Sequence, residues 1–393
     1  METENNASDG GPRLRYALIG AGAQIAQTHL DALARLPGVH IVGMSDVDPH
    51  TGTERAALAD CPFFLDHRKL LSVVAPDVVV ICAPHPLHVS LALDCFDAGT
   101  HVLVEKPMAV EVVEAEKMIA AAEAAERLLA VNFQERFSPA VEAAHQLIAA
   151  GKLGDLVRVL CVEPWFRTEA YYRSSAWRGT WRSEGGGVLM NQAPHTLDRL
   201  CHLAGSPASV WGWIRTLGHA IETEDTAQAM LVYPNGAPGY VEVSTLEAGI
   251  PSQLQVIGDR MALEFRGEAL TIRRFTPSLK EFVASSPEKF ATPDISVKSF
   301  RPPKGVPAGG EGHLAVHRDL REAILTGRKP RCDGRDALAS LELANAITLS
   351  SFVGRAVSLP LDRAAYRALL TDLRTGHLKM PSYVLPPQNP LWP

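Results

Sequence analysis

Residues 14–46 constrain the fold more than any other stretch. An apolar run, Leu14-Arg15-Tyr16-Ala17-Leu18-Ile19, passes directly into Gly20-Ala21-Gly22-Ala23-Gln24-Ile25-Ala26. A helical segment follows to about Leu36, where Pro37-Gly38 stops it, and a second apolar run, His40 to Ser45, ends in Asp46. Strand, glycine turn, helix, strand and acid in this order read as a βαβ unit, which requires a parallel sheet. Gly20 permits a tight turn, and Gly22 lets the backbone approach a pyrophosphate at the helix amino end, beside Gln24 and Ile25. Asp46 would accept hydrogen bonds from ribose hydroxyls and repel a 2′-phosphate, which favours NAD over NADP. The usual third small residue falls at Ile25, with Ala26 one place later, so the loop reads as one residue longer.

The alternation continues. Asp77 to Cys82 is a continuous apolar run, as a strand covered on both faces requires, and it ends in Ala83-Pro84-His85-Pro86-Leu87-His88. His101 to Val104 is another strand and runs into Glu105-Lys106-Pro107. A helix from about Val110 to Arg127 and a strand from Leu128 to Phe133 lead into Gln134-Glu135-Arg136. Ligands of doubly wound sheets gather beyond the carboxyl ends of the strands. The polar clusters fall at those ends. Asp46, Pro84, His85, His88, Glu105 and Lys106 are therefore candidate cofactor contacts, and Gln134 and Arg136 candidate substrate contacts. Lys106, between a buried strand and a proline, is a candidate functional cation.

A chain of 393 residues exceeds one ordinary core. We expect a polar, disordered tail over 1–12, a dinucleotide-binding domain over 13–135 and a second domain over 136–393. In that second part Leu156 to Glu163 alternates as a strand, and a loop of about twenty residues follows, a length that is usually functional. Trp165, Arg167, Tyr172, Trp177 and Arg178 in this loop suit a hydroxyl-rich ligand, because aromatic faces meet apolar sugar patches beside hydrogen-bond donors. The same residue types suit a subunit contact equally well.

The stretch Gly185-Gly186-Gly187-Val188-Leu189-Met190-Asn191-Gln192-Ala193-Pro194-His195 then opens a helix with Leu197, Leu200 and Cys201 as its apolar stripe and Gly205 as its stop. His195 and Asp198 stand three apart and share a face, which makes His195 a candidate general base. Several β-rich runs between Val210 and Arg274 predict a mostly antiparallel sheet with helices on one face. Its other face would serve a second subunit, as a homodimer or homotetramer. Residues 276–310 read as irregular, and helices return at His313–Leu325 and Asp336–Val353.

A net charge of −6 with both signs interspersed makes no case for nucleic acid or anionic membrane as a partner. The cysteines form no CxxC pair and nothing resembles an HExxH helix, so no metal is expected and a reducing, cytoplasmic setting is.

Gly20-Ala21-Gly22, Asp46, the Pro84-to-His88 turn, Glu105-Lys106-Pro107, and Gly185-Gly186-Gly187 through His195 and Asp198 together resemble the Gfo/Idh/MocA oxidoreductases, named for glucose-fructose oxidoreductase and inositol dehydrogenase. The resemblance runs from about Arg13 to Asp362. It implies a Rossmann domain followed by an α+β domain with a large, mostly antiparallel open sheet, and NAD or NADP chemistry on sugars, inositols and related polyols. Lys106 matches the family's catalytic lysine and His195 its catalytic histidine. Asn191 stands where many members have aspartate, and His85 where asparagine is frequent. An amide at 191 can still hold a substrate hydroxyl. The expected reaction is removal of the hydroxyl proton of a carbinol by His195 while hydride passes from the same carbon to NAD, with Lys106 on the oxygen. Two alternatives remain open: glycoside 3-oxidation or redox-assisted glycoside cleavage with tightly held NAD, and a non-catalytic NAD-binding regulator.

Overall fold

Six short strands give the first part of the chain its frame: β1 (Leu14–Ile19), β2 (Val39–Ser45), β3 (Phe63–Phe64), β4 (Val78–Ile81), β5 (His101–Val104) and β6 (Leu129–Val131). They pair in parallel in the order β3-β2-β1-β4-β5-β6. All four residues of β4 are buried, which is why its sequence shows no alternation. The order reverses between β1 and β4, the place where an open α/β sheet leaves a crevice for a ligand. The computed structural model describes residues 13–381, so the expected tail over 1–12 lies outside the described residues.

The chain divides into two units. Among the described residues, the first holds 13–109 together with Val113–Glu142 and Pro302–Leu338; the second holds Val110–Val112, Ala143–Arg301 and 339–381. The sequence reading assigned everything past 135 to the second domain, but 302–338 returns to the first unit. Helix His313–Thr326 packs on helix Gln24–Ala34, with His317 against His29 and Arg321 against Gly38.

The second unit is built on nine strands: β7 (Leu156–Pro164), β8 (Ser209–Arg215), β9 (Thr226–Val232), β10 (Pro238–Ser244), β11 (Gln253–Gly258), β12 (Met261–Arg266), β13 (Ala269–Thr276), β14 (Asp294–Ser299) and β15 (Val357–Ser358). Their order is β14-β13-β12-β11-β7-β10-β9-β8-β15. Only β7 and β10 pair in parallel; the other neighbours are antiparallel. The stretch read as irregular contributes β14 and a helix, Leu279–Ser285.

Alternation gives this sheet two unlike faces. Val159, Cys161, Val241, Leu254, Val256 and Leu263 are buried on one face. Helix Pro194–Ala204 lies against β7 and β11. Gly212 in β8 meets a helix backbone so closely that a Cβ there would stand 2.3 Å from the Ile347 carbonyl oxygen. On the opposite face the registers align Trp211, Met230, Tyr240 and Leu160 across β8, β9, β10 and β7. Trp211 is 61% and Met230 51% exposed.

The triple-glycine stretch is held from below by Glu224. This side chain is fully buried, and its Oε1 accepts from the amides of Gly187 at 2.9 Å and Leu189 at 3.0 Å. Its own carbonyl accepts from Val188 at 2.9 Å. A Cβ on Gly187 would sit 1.9 Å from that carbonyl oxygen, so glycine is the residue that fits.

Burial pushes the Glu224 carboxyl up to about 7, against the pull of the backbone amides and with help from nearby Glu184. The raised value makes ionisation unfavourable in the fold. Between the ordinary carboxylate range and pH ~7 the unfolded chain ionises first, so stability falls as pH rises, by at most about 3 kcal/mol. Glu224→Gln keeps an oxygen for both amides and removes the charge. The expected outcome is a variant whose unfolding midpoint, followed by denaturation from pH 4.5 to 7.5, lacks this part of the wild-type decline; parallel curves would contradict it.

Candidate functional site

In the first unit the glycine turn is shaped by backbone crowding. Gly20 has φ +84°, and a Cβ there would stand 2.7 Å from the Ala83 nitrogen and the Cys82 carbonyl carbon. The amides of Gly20 and Ala21 both donate to the Ser45 carbonyl, at 2.9 and 3.1 Å. The Gly22 amide donates to Asp46 Oδ2 at 2.6 Å, so the acid at the end of β2 also fixes the turn. Helix Gln24–Ala34 starts from extended Ala23 with no side-chain cap. Gln24 is exposed and Ile25 half-buried. An uncapped amino end behind a glycine turn fits the pyrophosphate of a dinucleotide. Arg55 donates to the carbonyls of Ala21 and Ala23 and braces the loop, a contact that no sequence motif announces.

The turn after β4 is more structural than expected. Pro84 is exposed and opens a single 3-10 turn, His85–Leu87, in which His85 is buried. His88, expected among the cofactor contacts, is fully buried with Nδ1 2.8 Å from the Pro107 carbonyl and Nε2 2.7 Å from the Ala83 carbonyl. It ties this turn to the Glu105-Lys106-Pro107 segment, and burial holds its pKa down.

Glu105 also faces inward. Its Oε1 accepts from Asn132 Nδ2 at 2.6 Å and lies 2.8 Å from His29 Nε2, while Oε2 accepts from the Lys106 amide at 3.2 Å. Burial opposes ionisation, yet the hydrogen bond with His29 and the charge of the facing His29 and His313 imidazoles hold its carboxyl well below the usual range. Lys106 is half-buried and precedes a cis proline. Gln134 is half-buried in the turn Gln134–Phe137. Arg136, expected to meet substrate, has a side chain only 3% exposed. It donates to the Arg331 carbonyl at 3.0 Å, with Asp336 at 3.8 Å, and holds the returning segment in place.

In the second unit the candidate base sits in the first turn of helix Pro194–Ala204, which ends at Gly205 with φ +78°. His195 and Asp198 are both buried on it. The helix is pinned to β7: Thr196 donates to Glu163 at 2.8 Å, and Arg199 lies 3.6 Å from the same carboxylate. Asn191 donates its amide to Glu184, whose other oxygen accepts from the Gly179 amide at 2.5 Å.

The aromatic loop carries a five-residue helix, Glu169–Arg173, and arranges its side chains as an alternating stack. Arg167 lies 5.6 Å from the Trp165 ring centre and 5.0 Å from that of Tyr171. Arg178 lies 4.2 Å from Tyr171 and 4.5 Å from Trp177. The Tyr171 hydroxyl accepts from Arg178 and, at 3.1 Å, from Gln192. Tyr171 is one of the aromatic residues that mark the loop in the sequence, while Gln192 carries no sequence signal of its own. Tyr172, expected at the substrate, is buried with its hydroxyl 2.9 Å from Thr245 and anchors the loop instead.

The family model described as the oxidoreductase family, NAD-binding Rossmann fold, matches residues 14–133, and the GFO/IDH/MocA C-terminal domain matches residues 141–264. A 1-carboxy-3-chloro-3,4-dihydroxycyclohexa-1,5-diene dehydrogenase from Comamonas testosteroni is 34% identical over 210 residues, 52% of each chain. The match thus spans about half the length of that relative. A trans-1,2-dihydrobenzene-1,2-diol dehydrogenase from Mus musculus is 27% identical over 73% of this chain and 82% of its own. Among solved structures, the WlbA dehydrogenase from Chromobacterium violaceum, in complex with NADH and UDP-GlcNAcA, superposes with a TM-score of 0.78 at 28% identity, covering 90% of this chain and 97% of its own. Two family domains in sequence, a Rossmann sheet and a large, mostly antiparallel sheet lead to one assignment: the chain belongs to the Gfo/Idh/MocA family of oxidoreductases.

Proposed function

We propose that the chain is an NAD-dependent dehydrogenase acting on a carbinol of a sugar, glycoside or inositol-type polyol. The observation that carries this reading is the hydrogen bond from Gln192 to Tyr171. It joins the arginine–aromatic stack to the backbone segment that delivers His195, so a surface suited to a hydroxylated ring and a candidate base share one support. The dehydrogenase names of the relatives and the sugar-nucleotide complex of the structural neighbour support the substrate class.

When bound, NAD supplies the hydride acceptor. Gly20, Gly22, the amides beside Gln24 and Ile25, and Asp46 would hold it. His195 takes the hydroxyl proton, Lys106 donates a hydrogen bond to the same oxygen and stabilises its developing charge, and Asn191 orients a neighbouring hydroxyl. Asp46 gives the preference for NAD, because a carboxylate repels a phosphate on the ribose. The outward row Trp211–Met230–Tyr240–Leu160 is the surface for a second copy of the chain. All six cysteines are free, which supports a reducing, cytoplasmic setting.

The test is a panel of sugars, glycosides and inositols with NAD and NADP, followed by absorbance of the reduced nicotinamide. On the substrate so found, His195→Ala is expected to slow turnover ~100- to 10,000-fold, about 3–5 kcal/mol of barrier, with NAD affinity retained. Lys106→Ala is expected to fall similarly, and near-normal turnover in either variant would remove that residue from the mechanism. Asp46→Ser should narrow the NAD-over-NADP preference by roughly tenfold or more, measured as the ratio of kcat/KM values. Trp211→Glu places a charge in the outward row and is expected to shift the sedimentation profile from oligomer to monomer; an unchanged profile would place the interface elsewhere.

A further inference from the structure

One polar cluster in the first unit takes no part in the proposed reaction. His29 lies on helix Gln24–Ala34, Glu105 follows β5, and His313 is the first residue of helix His313–Thr326. One ligand atom from each lies within 4.8 Å of the others. His29 Nε2 stands 2.8 Å, and His313 Nε2 3.7 Å, from the same oxygen, Glu105 Oε1. The side chains of His29, Glu105 and His313 are 0%, 9% and 12% exposed.

Hydrogen bonding alone does not close this cluster. If His29 Nε2 donates to Glu105, its Nδ1 is left to accept from His317 Nε2 at 2.9 Å. Asn132 supplies a further donor to Glu105 Oε1 at 2.6 Å. His313 Nε2 is then a buried nitrogen with no hydrogen-bond partner, facing an oxygen that already accepts twice. Buried polar atoms left in this way are uncommon and destabilising.

We propose that His29, Glu105 and His313 bind a divalent cation of the zinc class, oriented by His317 and Asn132. Two imidazoles and a carboxylate form a zinc donor set that leaves one position for water. Ligands on one tetrahedral zinc stand about 3.4 Å apart for bonds of about 2.1 Å, and the contacts of 2.8 and 3.7 Å bracket that spacing. Magnesium and calcium prefer all-oxygen sets and do not suit two imidazoles. The outer shell has the expected form, since His29 can donate Nδ1–H to His317 while Asn132 fixes the carboxylate. The ion would clip together segments distant in sequence, His29 and Glu105 being 76 residues apart, and would stiffen the peptide whose amide, that of Lys106, already bonds to Glu105.

The experiment uses untagged full-length protein stripped by chelator and titrated with Co²⁺, then with Zn²⁺. The wild type is expected to develop a saturating visible cobalt band at one equivalent, which Zn²⁺ displaces. Its unfolding midpoint should rise by about 5 °C at roughly hundredfold excess of Zn²⁺ over Kd. His313→Gln should weaken cobalt binding at least tenfold and abolish the Zn²⁺ shift while NAD still binds, and His29→Gln provides a second variant of a different ligand. A wild type without a stoichiometric cobalt band overturns the proposal whatever the variants do. A band unchanged in both variants overturns it as well. Neither readout depends on dehydrogenase turnover, so this site and the proposed reaction stand or fall separately.

Discussion

Glu224 is fully buried and holds the amides of Gly187 and Leu189 with a single carboxylate oxygen. The next residue, Asp225, is buried too and does the same for another turn, accepting from the amides of Leu217, Gly218 and His219 at 2.9, 2.8 and 3.1 Å. At the entrance to β9, consecutive acids therefore fix two irregular segments of the second unit. The first unit repeats the device, with Asp46 on the Gly22 amide. Irregular backbone has no ladder to satisfy its amides, and a side-chain carboxyl oxygen can accept from more than one donor at once. The glycines permit the unusual turns, and the acids select one geometry from those the glycines permit.

Burial decided how much of the fold could be read from residues alone. β4 is covered on both faces and shows four apolar residues in a row, while β11 alternates half-buried Gln253 and Gln255 with buried Leu254 and Val256; both patterns are visible in sequence. β14 is an edge strand with all six residues exposed. Ile295 and Val297 alternate with polar neighbours but bury no face, so two apolar residues in a Pro-, Ser- and Lys-rich stretch give only a weak signal. Helix Leu279–Ser285 has no buried residue either, and only its capping box, Ser278 with Glu281, marked it locally. The return of 302–338 to the first unit depends on contacts such as His29 with His317, 288 residues apart, which no local pattern encodes.

The candidate site divides along the same line. Gly20, Gly22 and His195 were legible because backbone conformation and helix position follow from nearby residues. His88, Arg136 and Tyr172 had suitable chemistry, but their partners are the carbonyls of Pro107 and Arg331 and the hydroxyl of Thr245. Each of those partners comes from a separate part of the chain. Residue type identifies what a side chain can bind, whereas the three-dimensional neighbourhood determines whether that capacity is already used.

Asn191 shows the two levels acting together. The resemblance to relatives led to an expected aspartate four residues before His195. In this chain the position faces Glu184, which is buried and accepts from both the Asn191 amide and the Gly179 backbone. An aspartate there would set two acceptor-only carboxylates against each other away from water, and one would have to take up a proton. An amide supplies the donor that Glu184 lacks. The departure at 191 is thus coupled to the acid at 184: a carboxyl group stays within this segment, bonded to the Asn191 amide, and the residue four places before the candidate base is neutral at every pH.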